Sequence, residues 1–403
     1  MGSSSSRSSA EPKLIGVGSK KGSCRSLIDI DQVKRRRSVP FFASLSCARV
    51  STEVAVPPVS LDEHTAAAQI AAAVSGQRKD QDRFVMSPRL DCGVCFGAIF
   101  DGHGPLGHGA AEATAAELPR LFNELVLKEL PEGVQDPNLD PETVTSTLRK
   151  ALKDSFAALQ QKMDASYEEN VLEPARKLQR KIEAESGVRL GKQAMPQDSG
   201  TTASVVILYG NRALLGWVGD SRAVLVSSVG GSAKGSSQLA KKPTHSRALS
   251  VDHNISAGDR DELQRVTQAG GTVLGRHFAI NGADGMFQLT RSIGDVPFHR
   301  SGAVLCAPGM ADVTIEPSDA CIVIASDGLW DHYTNDEAGA LIMKQLEEAN
   351  YRSVCAQNIA SADDVLLSVA ENCTSCVAER GTQNGKKCDD ISILLVAFDA
   401  FWR

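Results

Sequence analysis

The sequence predicts an α+β fold in which antiparallel sheets are flanked by helices. The first observation behind this is the stretch from Thr201 to Ser227. There three β-rich runs, Thr201–Leu208, Ala213–Val218 and Ala223–Ser227, are separated only by turns at Gly210-Asn211 and Gly219-Asp220. Strands joined by such tight turns form a meander and pair antiparallel. The second is a set of short apolar runs, "VCFGAIF" at Val94–Phe100, "CIVIAS" at Cys321–Ser326 and "ISILLVAF" at Ile391–Phe398, which read as buried strands. The third is that helical patterns lie among the strands in mixed order. Strict βαβ alternation is missing, which argues against a doubly wound parallel sheet.

The elements follow in chain order. The 403 residues are 42% hydrophobic and 23% charged, as in an ordinary soluble globular chain, and only 5% aromatic, so the core must rest on Val, Ile, Leu and Ala. Residues 1–64 read as a disordered, basic, Ser-rich arm. Its first 50 residues carry ten Lys/Arg against three acids, a charge of +7, which leaves −13 on the rest of a chain whose net charge is −6. That acidic body argues against a nucleic-acid partner. Met-Gly-Ser-Ser-Ser-Ser fits N-myristoylation at Gly2, with Lys34–Arg37 or Cys24 as the second signal for peripheral membrane association. The same arm also reads as plain disorder, as an organelle transit peptide or, through Lys34–Arg37, as a nuclear address. No apolar run is long enough for a membrane span and no signal peptide is evident, so the ten cysteines are expected as reduced thiols and the location as cytoplasmic. The expected state is a monomer.

The folded body is expected over residues 65–403. Asp140-Pro141 reads as a helix N-cap with Pro at the first helical position, and Val144, Leu148, Leu152, Phe156, Leu159 and Met163 then recur at helical spacing. Residues 165–197 are a polar insertion, helical or loose. Residues 228–248 form a Gly/Ser/Lys-rich insertion expected as a flexible loop. Thr334–Glu337 resembles a capping box. There are no internal repeats.

The informative pattern is where the acids fall. Asp101 ends the strand "VCFGAIF", and Asp327 follows "CIVIAS". Asp389 and Asp390 open "ISILLVAF", Asp82 opens "RFVM", and Asp220 lies in the turn after "LLGWV". In an antiparallel sheet the start of one strand lies beside the end of its neighbour, so these acids can collect on one edge. Clustered carboxylates repel and need cations, and an all-oxygen ligand set suits Mg²⁺ or Mn²⁺ rather than zinc. Asp101 stands in "FDGHGPLGHGA", where Gly102 permits a sharp turn and offers its carbonyl, and His103 enters the same space. Asp327 stands in "SDGLWD", with Asp331 four residues on. One Asp-Gly turn is commonplace. Two of them, each closing an apolar strand, beside an Asp-Asp pair, carry more weight.

These residues, with others, resemble the metal-dependent Ser/Thr protein phosphatases, the protein phosphatase 2C family. The resemblance covers roughly residues 65–399 and rests on nine ordered motifs: "QDRF", "FDGHG", "DSGTTA", "VGDSRAVL", "LSVDH", "AGGTV", "LTRSIGD", "ASDGLWD" and "CDDISILLVAF". It implies a four-layer α/β/β/α sandwich of two antiparallel sheets flanked by helices, with a two-metal site at one edge. It further implies that Asp101 bridges two Mg²⁺ or Mn²⁺ ions, the Gly102 carbonyl binds one, Asp327 and Asp389 bind the other, and Asp82 holds metal-bound water. Asp220 and Asp331 match a third, weaker position, and His103 matches the general acid. The implied reaction is hydrolysis of phosphoserine or phosphothreonine in proteins by a metal-activated water. The chain departs from the family at Gln81, where Glu is common, and at Gln77, where many members carry a phosphate-binding Arg. Arg78 or Lys79 is expected to reach the phosphate instead. Asp390 replaces a usual Asn, a change expected to matter little. Gln81 and Gln77 support an alternative, a pseudophosphatase acting as a binding scaffold. A third reading keeps the hydrolysis but on a non-protein phosphate ester.

Other residues receive plainer readings. Cys92 and Cys95, three apart on a strand, are expected on opposite faces rather than as zinc ligands, and Cys373-Thr-Ser-Cys376 is likewise read as structural. His108 is expected at the surface, His253 as a hydrogen-bonded structural residue, and Arg291 and Asp295 as scaffold. His277, His299 and His332 have no partner evident in the sequence. Trp217 and Trp330 are expected in the core.

Overall fold

The computed structural model describes residues 48–50, 68–75, 80–87, 89–136, 138–186, 198–228, 244–357, 359–386 and 389–402. Gly2, the Lys34–Arg37 cluster, Arg78 and Lys79 lie outside them. The strands are β1 (Ala48–Val50), β2 (Ala68–Ser75), β3 (Asp82–Ser87), β4 (Cys95–His103), β5 (Gly200–Thr201), β6 (Ala203–Tyr209), β7 (Arg212–Val218), β8 (Arg222–Ser228), β9 (Thr244–Ala248), β10 (Gly271–Leu274), β11 (His277–Ile280), β12 (Ile293–Gly294), β13 (Gly309–Thr314), β14 (Asp319–Ala325) and β15 (Ile391–Phe398). The helices are α1 (Gly107–Glu129), α2 (Pro141–Tyr167), α3 (Glu173–Ser186), α4 (Arg260–Gln268), α5 (Val296–Ser301), α6 (Asp327–Trp330), α7 (Asn335–Glu348), α8 (Tyr351–Gln357), α9 (Ile359–Gln383) and α10 (Asp399–Trp402).

Among the described residues two large antiparallel sheets result, beside a small two-stranded one of β10 and β11. One runs β1-β2-β15-β14-β8-β9, and the other β12-β5-β4-β6-β7-β13, with β3 on the flank of β4. The apolar runs fill both faces of their strands, and the alternation sorts them. In β14, Ile322 and Ile324 face a core shared with Ile99, Val206 and Leu215 of the other sheet. Cys321, Val323 and Ala325 face outward onto Ile342 and Leu346 of α7 and Leu366, Val369 and Cys373 of α9. In β4, Phe96, Ala98 and Phe100 meet Leu118 and Phe122 of α1 and Leu148, Leu152 and Phe156 of α2, while Cys95 and Ile99 enter the inter-sheet core. The layers are therefore α/β/β/α, and period-two alternation in continuously apolar strands produces them. Cys92 and Cys95 do fall into different cores, and burial pushes their thiols up to about 11 and about 12.

The helix signals act as read. The Asp140 side chain accepts from the backbone N–H groups of Glu142 and Thr143 at 3.0 and 2.9 Å, and Thr334 and Glu337 form the reciprocal capping box. Leu152 of α2 presses on Gly216, where a Cβ would lie 2.6 Å from its methyl, so the helix sits close on β7.

Two expectations need correction and a third, on Trp330, needs refining. Residues 228–248 are not all loop. Thr244–Ala248 is an edge strand on β8, with Ser246 turned in and its neighbours more exposed; its polar character disguised it, because an edge strand has one solvated side. Trp330 sits at the margin of the core: it packs against the cluster under β14 and its indole N–H donates to the Ala325 carbonyl at 2.9 Å, but its ring is partly exposed beneath the Arg222 guanidinium, 5.2 Å from the ring centroid. His253 is buried, but its ring is stacked on Trp217 at 5.9 Å and its Nδ1 lacks a hydrogen-bond partner; burial lowers its pKa to about 4. The polar 165–197 stretch continues α2 through a π-turn at Glu168–Leu172 into α3. Residues 187–197 lie outside the described set. Among the described residues no helix is long and apolar enough to cross a membrane.

Candidate metal centre and active site

The site begins with strand register. β3 and β4 pair so that Asp82 stands directly opposite Asp101, which puts both carboxylates on one face. Asp101 is fixed by Thr202, whose Oγ1 accepts its N–H at 3.1 Å and whose own N–H donates to its carbonyl at 2.9 Å. The next residue must be glycine. A Cβ on Gly102 would lie 2.3 Å from the Gly107 carbonyl oxygen and 2.8 Å from that of Gln81. The adjacent sheet closes over the same edge. Asp327 opens α6 directly after β14, and Asp389 and Asp390 precede β15, which pairs with β14. Ser326 and Ser392 tie these ends together: the Ser392 N–H donates to Ser326 Oγ at 2.9 Å, and the Ser392 hydroxyl donates to Asp82 Oδ2 at 2.6 Å. Asp220, in the turn after β7, accepts from the Asn254 amide at 3.0 Å.

The electrostatics unite these acids. Burial raises Asp101 well above the usual carboxylate range, and the charges of Asp82, Asp327 and Asp220 raise it further. Asp327 is raised well above that range by burial and then by Asp220, Asp331, Asp82 and Asp389. Burial lifts Asp82 to about 6, with Asp390 contributing, although the Ser392 hydroxyl opposes it. So Asp82, Asp101, Asp220, Asp327, Asp331 and Asp389 share one neighbourhood, as the strand-end pattern implied. Among the described residues no group of three or more His, Cys, Asp or Glu side chains is placed to hold a metal ion as it stands.

The residues fit a hard divalent cation. Asp82 is 2% exposed, and its Oδ1 has no hydrogen-bond partner. A buried, partnerless carboxylate oxygen among further carboxylates is costly unless a cation or its waters satisfy it. The donor set is all oxygen, which suits Mg²⁺ or Mn²⁺.

His103 lies on the other flank. Its Nε2 is 2.7 Å from Asp295 Oδ2, which also accepts from the Ser292 hydroxyl at 2.6 Å. Burial works against the charged ring, but Asp295, then Asp220, outweigh it and hold the His103 pKa above its usual value. Phe287 covers the ring at 5.4 Å between centroids. Asp295 is 3% exposed and adopts φ 45°, a left-handed conformation costly for a non-glycine residue. Its seat exists because residue 200 is glycine: a Cβ there would lie 2.1 Å from Asp295 Oδ2. Asp295 is therefore more than scaffold. Sequence reasoning missed it, since 192 positions separate it from His103. Arg291 does act as scaffold, pairing with Glu262 at 2.7 Å.

A cleft of ≈ 280 Å³ leads from Asp220, Asp327 and Asp331 outward past Trp330 to Arg222 and Arg276. Arg222 is committed to Asp252 and Asn335. Arg276, in the β10–β11 turn, is exposed and gives only its Nε to Ser256 Oγ at 3.2 Å; among the described residues no carboxylate pairs with it.

Comparison with known proteins places this geometry in context. A family model described as protein phosphatase 2C matches residues 94–366, a span that includes Asp101, His103, Asp220, Asp295, Asp327 and Asp331 but not Asp82, Asp389 or Asp390. Protein phosphatase 2C 77 of Arabidopsis thaliana is 27% identical over 311 residues, 75% of this chain and 59% of the relative, so the chain spans less than two thirds of that protein. A probable protein phosphatase 2C of Caenorhabditis elegans, T23F11.1, is 26% identical over 326 residues, 79% of this chain and 70% of the relative. The crystal structure of serine-threonine phosphatase 2C from Toxoplasma gondii has the same fold. It superposes with a TM-score of 0.58 at 18% identity, covering 88% of this chain and 100% of that one.

Proposed function

This chain belongs to the protein phosphatase 2C family, and from that premise we propose that it hydrolyses phosphoserine and phosphothreonine esters of proteins with the help of Mg²⁺ or Mn²⁺. The observation that carries the reading is the buried, partnerless Oδ1 of Asp82 facing Asp101 among further carboxylates. Asp101, Asp327, Asp389 and the Gly102 carbonyl would hold two ions, with Asp82 orienting their waters, and Asp220 with Asp331 would hold a third. When bound, such ions supply a water of lowered pKa and positive charge against the phosphoryl oxygens.

The chain's own residues supply the rest. His103, whose pKa Asp295 raises, is the acid for the departing serine or threonine oxygen, a poor leaving group until it gains a proton. Asp295 positions the ring and stays out of contact with substrate. Phe287 shields one face of the ring from water. Arg276 stands at the cleft mouth, where a phosphoryl group or an acidic residue of the substrate can reach its terminal nitrogens. Arg276→Ala should raise KM for a phosphothreonine peptide about tenfold, the worth of one lost charge-assisted hydrogen bond, and change kcat less. An unchanged KM removes Arg276 from substrate binding.

The scaffold reading draws on Gln81, whose side-chain amide donates to the Gly104 carbonyl at 3.0 Å and brings no charge to the centre. Phosphate release from a phosphothreonine peptide and from p-nitrophenyl phosphate, with Mn²⁺ and with chelator, separates the readings. Mn²⁺-dependent release from the peptide supports the proposal. Release from neither substrate favours the scaffold, and release from the small ester alone favours a non-protein substrate.

A further inference from the structure

A buried glutamine of α2 has no part in the centre described so far. Gln160 stands one turn after Phe156 on the buried face of α2 and is 8% exposed. A polar side chain on such a face needs partners of its own. Gln160 finds them on the backbone of Gly294, 134 positions away. Its Oε1 accepts the Gly294 N–H at 2.9 Å, and its Nε2 donates to the Gly294 carbonyl at 3.0 Å. The same Nε2 donates to Asp164 Oδ1 at 3.0 Å, the next turn of α2. Gly294 ends β12, the strand at the edge of its sheet. The glutamine amide thus takes the place of a further strand beside it.

The clamp also fixes the residue that follows. Gly294 has φ 89° and Asp295 φ 45°, two left-handed residues in succession. A glycine has no side chain to restrain its own torsions. Bonds to the N–H before its Cα and to the carbonyl after it restrain both, and that carbonyl lies in the peptide plane that carries the Asp295 nitrogen. Two further bonds hold the planes around it. The Asp295 N–H donates to the Ser199 carbonyl at 3.2 Å, and the Val296 N–H donates to Asp198 Oδ2 at 3.1 Å. With this backbone set, the Asp295 carboxylate lies in its seat beside Gly200 and meets His103 Nε2 at 2.7 Å.

We propose that Gln160 is a positioning residue for the acid of the reaction: by clamping Gly294 it sets Asp295, and through Asp295 it aims the His103 ring at the departing oxygen. The inference rests on the phosphatase reading above and on the role given there to His103. Gln160 itself touches neither substrate nor ion. Its loss therefore acts on one step, because a misplaced proton donor slows only a step that needs a proton. A side chain that served packing alone would, when lost, weaken every activity alike.

The test is a kinetic cycle on the full-length chain. Phosphate release is measured from a phosphothreonine peptide and from p-nitrophenyl phosphate at saturating Mn²⁺. Gln160→Met keeps the length and helical propensity of the side chain and removes both bonds to Gly294. It should lower kcat on the peptide about 10- to 100-fold, the scale of an ångström's misplacement, with KM and Mn²⁺ affinity within about twofold of wild type. p-Nitrophenyl phosphate, whose leaving group needs no proton, should lose less. In an Asp295→Asn background the same change should lower kcat by less than about twofold, since residues that act through one another are not additive. Gln160→Glu keeps the acceptor for the Gly294 N–H and gives up the donor, so it should fall between wild type and Gln160→Met. It carries the same cycle if circular dichroism shows that Gln160→Met does not fold. Unchanged kcat on the peptide overturns the proposal, as do equal losses on both substrates or a full further loss in the Asp295→Asn background. If the wild-type chain releases no phosphate from the peptide with Mn²⁺, the phosphatase reading falls and this proposal with it; release by wild type with any of the three contrary results removes this proposal alone.

Discussion

Asp101→Asn is expected to abolish metal-dependent phosphate release and to lose Mn²⁺ binding with it. Asp101 is the carboxylate that the charges of Asp82, Asp327 and Asp220 all bear upon, and it faces Asp82 directly across the β3–β4 pair. Groups that merely support metal ligands cost about 10- to 100-fold when altered. A carboxylate at the middle of the cluster should exceed the upper end of that range. The fold should survive, since Asn preserves the shape and Thr202 holds only the Asp101 backbone. In chelator the variant should melt higher than wild type, because the like-charge repulsion that raises its neighbours is relieved. Phosphate release and Mn²⁺ calorimetry on one preparation decide the matter. Normal turnover in this variant would refute the site.

His103→Asn should leave Mn²⁺ affinity near wild type and lower kcat by about 10²- to 10⁴-fold, the usual yield of a general acid. The effect should shrink for a substrate whose leaving group needs no proton, so p-nitrophenyl phosphate should suffer less than a phosphothreonine peptide. Asp295→Asn tests the partner. Asp295 holds the His103 pKa above its usual value, so the protonated ring persists to higher pH in wild type. Without that carboxylate the alkaline fall of kcat should move to lower pH. Equal losses on both substrates, or a pH profile indifferent to Asp295, would leave His103 a structural residue.

Much of this was legible because buried strands announce themselves as short apolar runs and their ends by Asp-Gly turns. Asp101 and Asp327 each close an apolar run, and a reader of the chain can place both at a sheet edge without knowing which strands pair. Asp295 was not legible in that way. Its contact with His103 exists only after Gly200 of β5 lies beside β12, and its left-handed backbone has no marker in the sequence. The edge strand β9 hid among Ser, Lys and Gly because a half-solvated strand at a sheet margin looks like a loop. Arg276 looked unremarkable until the hairpin carried it to the cleft mouth. The contact in which Asp390 accepts the Gln81 N–H spans 309 positions of chain, so no local pattern announces it.

The pairing of β3 with β4 has a last consequence. Parity, more than distance, decides what Asp101 meets. A frame slip of a single residue along this hairpin would bring Arg83 opposite it in place of Asp82, on the same side of the sheet. The guanidinium would then neutralise Asp101 from within, and the protein would carry its own counter-ion. Such a slip would also turn Phe84 and Met86 out of the inter-sheet core, so packing as well as charge holds this register, and a slip of two would restore the parity of the strand without restoring the acid.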